Sequence, residues 1–520
     1  MRTLVLLSFF FCLALSLATL STTAFADSRG DDLAKWLNER GVDAWGPAPE
    51  KCDDLTFARR IYLDLLGRVP SVSELRDFEK LDGDRRRQLV EMLVFSEGER
   101  AERYSRLSAE HLARHWRQVL LPTGAGLSGS AAGVEAWLTE QFRSETPYDE
   151  IMRRLIKVQD GGPAPVTNSL NAFGMSTQYY QLLGGLPEAY AGNISRVMLG
   201  VRIECAQCHD HPFTAWKQED FWGLAAFYSD MGRAVVDDTT SKGTENVGKI
   251  AFEGTEYSAK VLWSDEPVAL SSLALRTRLS EWMTSKDNPN FAASAANRFW
   301  QHLVARGLYA DVENLDLASA SERSFADELG QRFAADGFDV RRLIASICKS
   351  DWYQAASEET PVDPDEFYRP LKSVSPEQVF DSMEQSLHLS VSRIDPESPR
   401  WSGERGQVVS RLGESIGRSP EDYAAGIPQA LLMMNGKLTS EAVNLETGRL
   451  LRAVTESPFF EPRDRIETLY LAVLTRRPSE DESKAIQDFL KTKTDEPAQN
   501  RALGELVWAL LNSPEFVLCR

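Results

Sequence analysis

The sequence predicts a mainly α protein of two helical domains, built partly from repeated helical hairpins, with a small β insertion between them. Three observations predict this. Apolar residues recur at helical spacing through most of the 520-residue chain. One hairpin-like motif occurs twice, near Tyr62 and near Tyr470. A single middle stretch, "KGTENVGKIAFEGTEYSAKVLW" at 242–263, breaks the helical period with Gly and Asn and alternates apolar residues instead.

Taken in order, the chain opens with Arg2, an apolar run and the small-x-small signal Ala24 to Ala26. That is the layout of a secretory signal peptide, residues 1–26, cleaved before Asp27. Cys12 lies inside the apolar run and not at the cleavage point, which argues against a lipoprotein anchor. No other long apolar run follows, so the mature form is expected to have no membrane span. The expected location is the periplasm, the cell surface or the extracellular space.

A first helical domain is expected over 45–232. It holds the first copy of the repeat, "YLDLLGRVPSVSE" from Tyr62, which matches "YLAVLTRRPSEDE" from Tyr470 without a gap. In both copies a serine precedes a glutamate by three residues: Ser71 with Glu74, and Ser479 with Glu482. This spacing predicts a capping box, in which the two side chains satisfy free amides at a helix start. Ser375 and Gln378 offer a third. The repeat's Arg, Pro and Ser therefore belong to capping and carry no catalytic role. "LPTGAGLSGSAAG" at 121–133 reads as a surface loop.

An insertion is expected over 233–270 and a second helical domain over 273–518. In the latter, Phe325, Leu329 and Phe333 recur every four residues, "DG" at Asp336 breaks the pattern, and Leu343, Ile344 and Ile347 resume it. Cys348 falls on the apolar stripe and is expected to be buried.

The formal net charge of −19 argues against a nucleic-acid partner and gives no reason to expect attraction to anionic lipid. The glycine fingerprints, the G-x-S-x-G elbow and the H-E-x-x-H pair of common enzyme classes are absent. Acidic pairs are too plentiful to nominate two for glycoside hydrolysis.

The chemistry concentrates in "CAQCHDHPF" at 205–213. Two thiols and a histidine at C-x-x-C-H spacing are what a c-type haem requires: two thioether bonds from Cys205 and Cys208, and an iron ligand from His209. Export strengthens this reading, because haem c is attached outside the membrane. Phe213, Trp216, Phe221, Trp222, Phe227 and Tyr228 follow; they suit a haem wall, and equally an ordinary aromatic core. Alternatives remain. Cys205, Cys208 and His211 are evenly spaced for zinc with a distant fourth ligand. The cysteines can instead form a redox pair or an inert disulfide, with no cofactor. For a distal haem ligand, His111 and His115 stand one helical turn apart on one face, and Met231 follows the aromatic segment. His302 reads as packing beside Trp300. With Cys12 removed, five cysteines remain, so one at least is unpaired; a Cys52–Cys519 bridge is one option.

These residues also carry a resemblance. "RRIYLDLLGRVPSVSEL", "SRVMLGVRIECAQCHDHPFTAWKQEDFWGLAAFY", "NPNFAASAANRFWQHLVARGL" and "LTRRPSEDESKAIQDFL" follow one another as in secreted two-domain proteins abundant in planctomycetes. The chain resembles that family over about 45–232 and 273–518. Its first domain is described as cytochrome-like and its second as planctomycete-specific, both of unknown function (1549 and 1553). The resemblance carries the C-x-x-C-H onto Cys205, Cys208 and His209, with His211 and Pro212 following. "DLASASERSFADELG" departs from the proline-rich turn of relatives, and the segment ahead of residue 45 is too short for the extra cytochrome domain many of them bear. The resemblance implies no established reaction. The leading expectation is an exported haem protein working with a redox partner or cell-envelope protein. The alternatives are an exported metal-binding or disulfide-containing binding protein, and an enzyme acting on complex polysaccharide.

Overall fold

The computed structural model describes residues 29–95, 97–121, 129–157, 174–231, 247–358, 367–387, 399–415, 433–434 and 436–519. The expected signal peptide, most of the 121–133 stretch and the start of the expected insertion lie outside them. Helices dominate the described chain, as predicted. Its strands are short and pair only two by two: Lys249–Phe252 with Thr255–Ser258, Ser357–Glu358 with Arg369–Pro370, and Lys372–Ser373 with Leu518–Cys519.

The chain divides into two compact units that interleave in sequence. One comprises Met1–Ala44 and Ala109–Ser350, the other Trp45–Ser108 and Asp351–Arg520.

In the first unit the helix Pro289–Val304 is almost wholly buried. Its run of Ala292 to Ala296 is small enough for the helix Ala320–Ala335 to come close. Gly330 marks the crossing: a Cβ there would lie 2.5 Å from the Ala293 nitrogen. Ser319 caps the start of the second helix in a reciprocal box with Glu322. Asp336 ends that helix, Gly337 turns the chain at φ 72°, and Val340–Lys349 follows, as the periodicity predicts. Trp116, Tyr148, Phe291, Phe299, Phe333 and Phe338 fill the space between in edge-to-face and tilted pairs.

In the second unit both copies of the repeat pack into one core, where Leu63 and Val69 meet Leu469, Tyr470 and Val473. Each copy is a helix ended by a left-handed residue, Gly67 at φ 69° and Thr475 at φ 58°. Next comes an arginine that lies over the copy's own tyrosine: Arg68 over Tyr62 at 5.5 Å, Arg476 over Tyr470 at 5.1 Å. The same arginine grips the capping-box glutamate with two bonds, at 2.9 and 2.8 Å to Glu74 and at 2.7 and 2.8 Å to Glu482. The predicted boxes at Ser71, Ser479 and Ser375 are all formed.

Arg59 and Arg60 explain why an N-terminal segment belongs with the C-terminal one. Both are buried in the helix Asp54–Leu66. Arg59 donates to the carbonyls of Val473, Glu515 and Phe516, and Arg60 to those of Tyr353 and Ala355. A guanidinium out of water needs such partners, and here the partners are backbone from the far end of the chain. Cys52, Cys348 and Cys519 are buried and form no disulfide. The Cys52–Cys519 bridge weighed from sequence is therefore not formed, and burial pushes the Cys519 thiol above its ordinary pKa.

Two outcomes follow for this unit. Arg68→Ala strands the buried Glu74 carboxylate and should cost about 3–5 kcal/mol in denaturant unfolding. Burial pushes Glu74 up, but Arg68, the Ser71 N–H and Tyr104 outweigh it and hold the carboxyl at about 2; Arg476 holds Glu482 at about 2 as well. Their folded values lie below the unfolded value of about 4.3, so their stabilisation is present above that pH and fades as the pH falls towards 2. Unfolding midpoints measured from pH 6 down to 2 should drop less steeply in Glu74→Gln and Glu482→Gln; an unchanged slope would contradict the assignment.

Candidate functional site

The C-x-x-C-H segment belongs to the first unit and is positioned from three sides. Upstream, the helix Pro187–Ile194 continues as a π-helical turn, Ser195–Leu199, and stops at left-handed Gly200. Such turns leave carbonyls poorly partnered. Arg298, reaching from Pro289–Val304, donates to the carbonyls of Val197 at 3.1 Å and Arg196 at 3.0 Å. Leu315 N–H donates to the Gly200 carbonyl at 2.6 Å. Val201 and Ile203 then bury their side chains while Arg202 points outward. Arg202 pairs with Glu313 at 2.8 Å and Asp311 at 3.3 Å, and Arg196 also binds Glu313. Burial pushes the Glu313 carboxyl up, but Arg196, Arg202 and Arg298 together hold it below its usual range. At Glu204 burial wins over Arg196 and Arg202, and the carboxyl is raised.

The motif itself is one 3-10 turn, Glu204–Gln207, with Cys208 at its end. Three residues per turn bring positions i and i+3 onto one face. Ala206 is buried, and Cys205 and Cys208 are both exposed free thiols on the outer side. His209 Nδ1–H donates to the Asp210 carbonyl at 2.8 Å, since a carbonyl can only accept. With the proton on Nδ1 in this contact, Nε2 is the nitrogen able to bind a metal.

Downstream, the helix Gln218–Ala225 holds the turn in place. Trp222 Nε1 and Gln218 Nε2 both donate to the Gln207 carbonyl, at 3.0 and 3.2 Å, and the Gln218 N–H donates to Asp210 Oδ1 at 3.0 Å. The predicted β insertion, in its described part, is the hairpin Lys249–Phe252 with Thr255–Ser258. It backs this helix: Phe252 stacks on Trp222 at 4.5 Å, and Tyr257 Oη donates to Gln218 Oε1 at 2.9 Å. Gly223 allows the chain to pass, with Lys260 N–H donating to its carbonyl and Lys260 Nζ pairing with Asp220 at 3.0 Å.

His211 turns inward on its own loop. Its Nδ1 accepts the N–H groups of Phe213 and Thr214, at 3.2 and 3.1 Å, and its N–H donates to the Trp216 carbonyl. Phe221, Trp222, Phe227 and Tyr228 are buried core, while Phe213 is exposed. Met231 closes the turn after them, its N–H on the Tyr228 carbonyl.

His111 and His115, weighed as distal ligands, lie against His302, with ring centroids 5.5 and 4.0 Å away. His302 therefore does more than pack beside Trp300. The rings are tilted 39° and 34° from parallel with His302. Among the described residues, no group of three or more His, Cys, Asp or Glu side chains is gathered to hold a metal ion, so Cys205, Cys208 and His211 do not make a ready-built zinc site.

Residues 35–233 match the family PSCyt2, a protein of unknown function (DUF1549), and residues 275–404 match PSD1, a protein of unknown function (DUF1553), in that order. The chain carries these two domains in that order. No curated protein and no solved structure matches it. The PSCyt2 match contains the whole C-x-x-C-H turn and the helix that clamps it, whereas the described hairpin lies between the two matches.

The sequence reading missed Gln218 and Tyr257, which complete the clamp with Trp222. Glutamine and tyrosine carry no motif, and only the fold brings them to the turn.

Thiol counting checks this arrangement. In folded protein made without cofactor attachment, Cys205 and Cys208 should react at once with an aromatic disulfide reagent, and Cys52, Cys348 and Cys519 only on unfolding. Trp222→Phe keeps the stack on Phe252 but loses the bond to Gln207. It should cost about 1 kcal/mol and speed the Cys208 reaction. A slow Cys205 or Cys208 in the unaltered protein would contradict the exposed turn.

Proposed function

We propose that this PSCyt2–PSD1 protein is exported, attaches one haem c and works in electron transfer or redox chemistry. The observation that carries the reading is the joint presentation of three groups on one 3-10 turn: two exposed free thiols on the same side, and a histidine whose Nδ1–H is committed to the Asp210 carbonyl.

The residues fit the group chemically. Cys205 and Cys208 are reduced and accessible, as thioether formation requires. His209 offers Nε2, and the hydrogen bond on its other nitrogen both orients the ring and raises its basicity. Gln218 and Trp222 hold the turn through the Gln207 carbonyl, and Asp210 holds it through the Gln218 N–H, so little order need be imposed on attachment. Haem, if bound, would supply one-electron redox chemistry; Cys205 and Cys208 would hold it and His209 Nε2 would meet the iron. Export, read from residues 1–26, supports the same function, because attachment takes place outside the membrane.

Expression with the signal peptide in a host that matures c-type cytochromes tests the proposal. The expected product is red, with a sharp Soret band and the added mass of one haem, both lost in Cys205→Ala/Cys208→Ala. A colourless product at the bare mature mass, alongside a control cytochrome that matures normally, would overturn it.

A further inference from the structure

Three large apolar side chains stand exposed on segments tied to the loop that follows the motif, and nothing in the motif's own chemistry requires that. Phe213 is 88% exposed, Leu317 64% and Trp263 54%. For three large apolar side chains around one loop, this is well outside the usual scatter of single exposed residues. The contacts that link them run from the histidine segment outward. His211 N–H binds the Trp216 carbonyl at 2.8 Å, and the His211 ring meets Phe213 at 6.4 Å. Trp216 is itself buried, with Nε1 donating to Asp316 beside Leu317 at 2.7 Å. Its ring faces Trp263 at 5.4 Å, and Trp263 in turn meets Trp282 at 6.1 Å.

Trp263 carries a second signal. Its backbone sits at φ 60°, in the left-handed region. A bulky residue there is a genuine outlier, and such strain persists where the surroundings over-determine it, often at ligand-binding surfaces. Here the buried Leu262 before it and the two tryptophan contacts hold an indole out into solvent at a backbone position where glycine would be relaxed.

A haem tethered by Cys205 and Cys208 is a flat, largely apolar plate that begins at the surface. It must lie on whatever adjoins the turn. We infer that Trp263 and Phe213 form the wall against which the tethered haem packs, covering apolar surface that the bare protein leaves exposed. The inference rests on the haem c reading above. It makes Trp263 a positioning residue that acts on the environment of the macrocycle: a dry, aromatic flank keeps water off one side of the group and favours its less charged, reduced form.

The test uses full-length protein from a maturing host, unaltered and as Trp263→Ala, Phe213→Ala and Trp508→Ala, the last a partly exposed tryptophan of the other compact unit. Haem content is measured by intact mass, aromatic contact by circular dichroism in the Soret band, and the reduction potential by titration. The expected result is full haem content in all four proteins. Trp263→Ala and Phe213→Ala should each lose at least half of the Soret dichroism and shift to a more negative potential, with Trp508→Ala unchanged. Phe213 is almost fully exposed, so its replacement tests the wall even if Trp263→Ala fails to fold. Haem present with unaltered dichroism and potential in Phe213→Ala and in any folded Trp263→Ala would overturn the wall alone. Haem absent from the unaltered protein would overturn the haem reading beneath it.

Discussion

The carbonyl oxygen of Gln207 accepts from Trp222 and from Gln218, and the shape of the motif depends on that one acceptor. It ends the 3-10 turn with Cys205 and Cys208 outward and ties it to the helix Gln218–Ala225. The helix is held in its turn by the hairpin behind it, through the Trp222–Phe252 stack and the Tyr257–Gln218 bond. A two-stranded hairpin is marginal alone in water. This one gains its stability by packing on the helix, and the helix gains a fixed position for the loop. The β insertion thus serves the site, although it lies outside both family matches.

The other unit is built on arginine. Arg59 and Arg60 bring positive charge into the interior and satisfy it with backbone carbonyls from residues 353–355, 473 and 515–516. Arg68 and Arg476 do the same work in the two repeats with a carboxylate and a tyrosine face. Arginine suits this because its fork of donors meets several acceptors in one plane, and lysine would not. The repeat is therefore a reused way of stopping one helix and starting the next, with its chemistry turned entirely to structure.

Much of this was legible in the sequence. Helices appear where apolar residues recur at 3.6 spacing, and the three serine boxes appear where a Glu or Gln follows at N3, because both signals are local. The C-x-x-C-H was legible for the same reason. What escaped was long-range. His302 joins His111 and His115 only because the helices Glu99–Leu120 and Pro289–Val304 come together. Trp263 ends an alternating stretch, and nothing in "VLW" tells that the indole is held outward at positive φ. The interleaving of the two units was equally hidden, since it rests on Arg59 and Arg60 reaching residues about 290 to 460 positions away, and periodicity carries no such information.

In the bare protein the fold commits His209 Nδ1–H to the Asp210 carbonyl, and the presentation of Nε2 depends on that bond. Long-range proton–nitrogen NMR of 15N-histidine-labelled protein lacking haem, at a pH where imidazoles are neutral and with His209→Gln to assign the signal, reads the tautomer directly. The expected result is a protonated Nδ1 and a bare Nε2 on His209. A ring protonated at Nε2, or one averaging freely between the two forms, would contradict it.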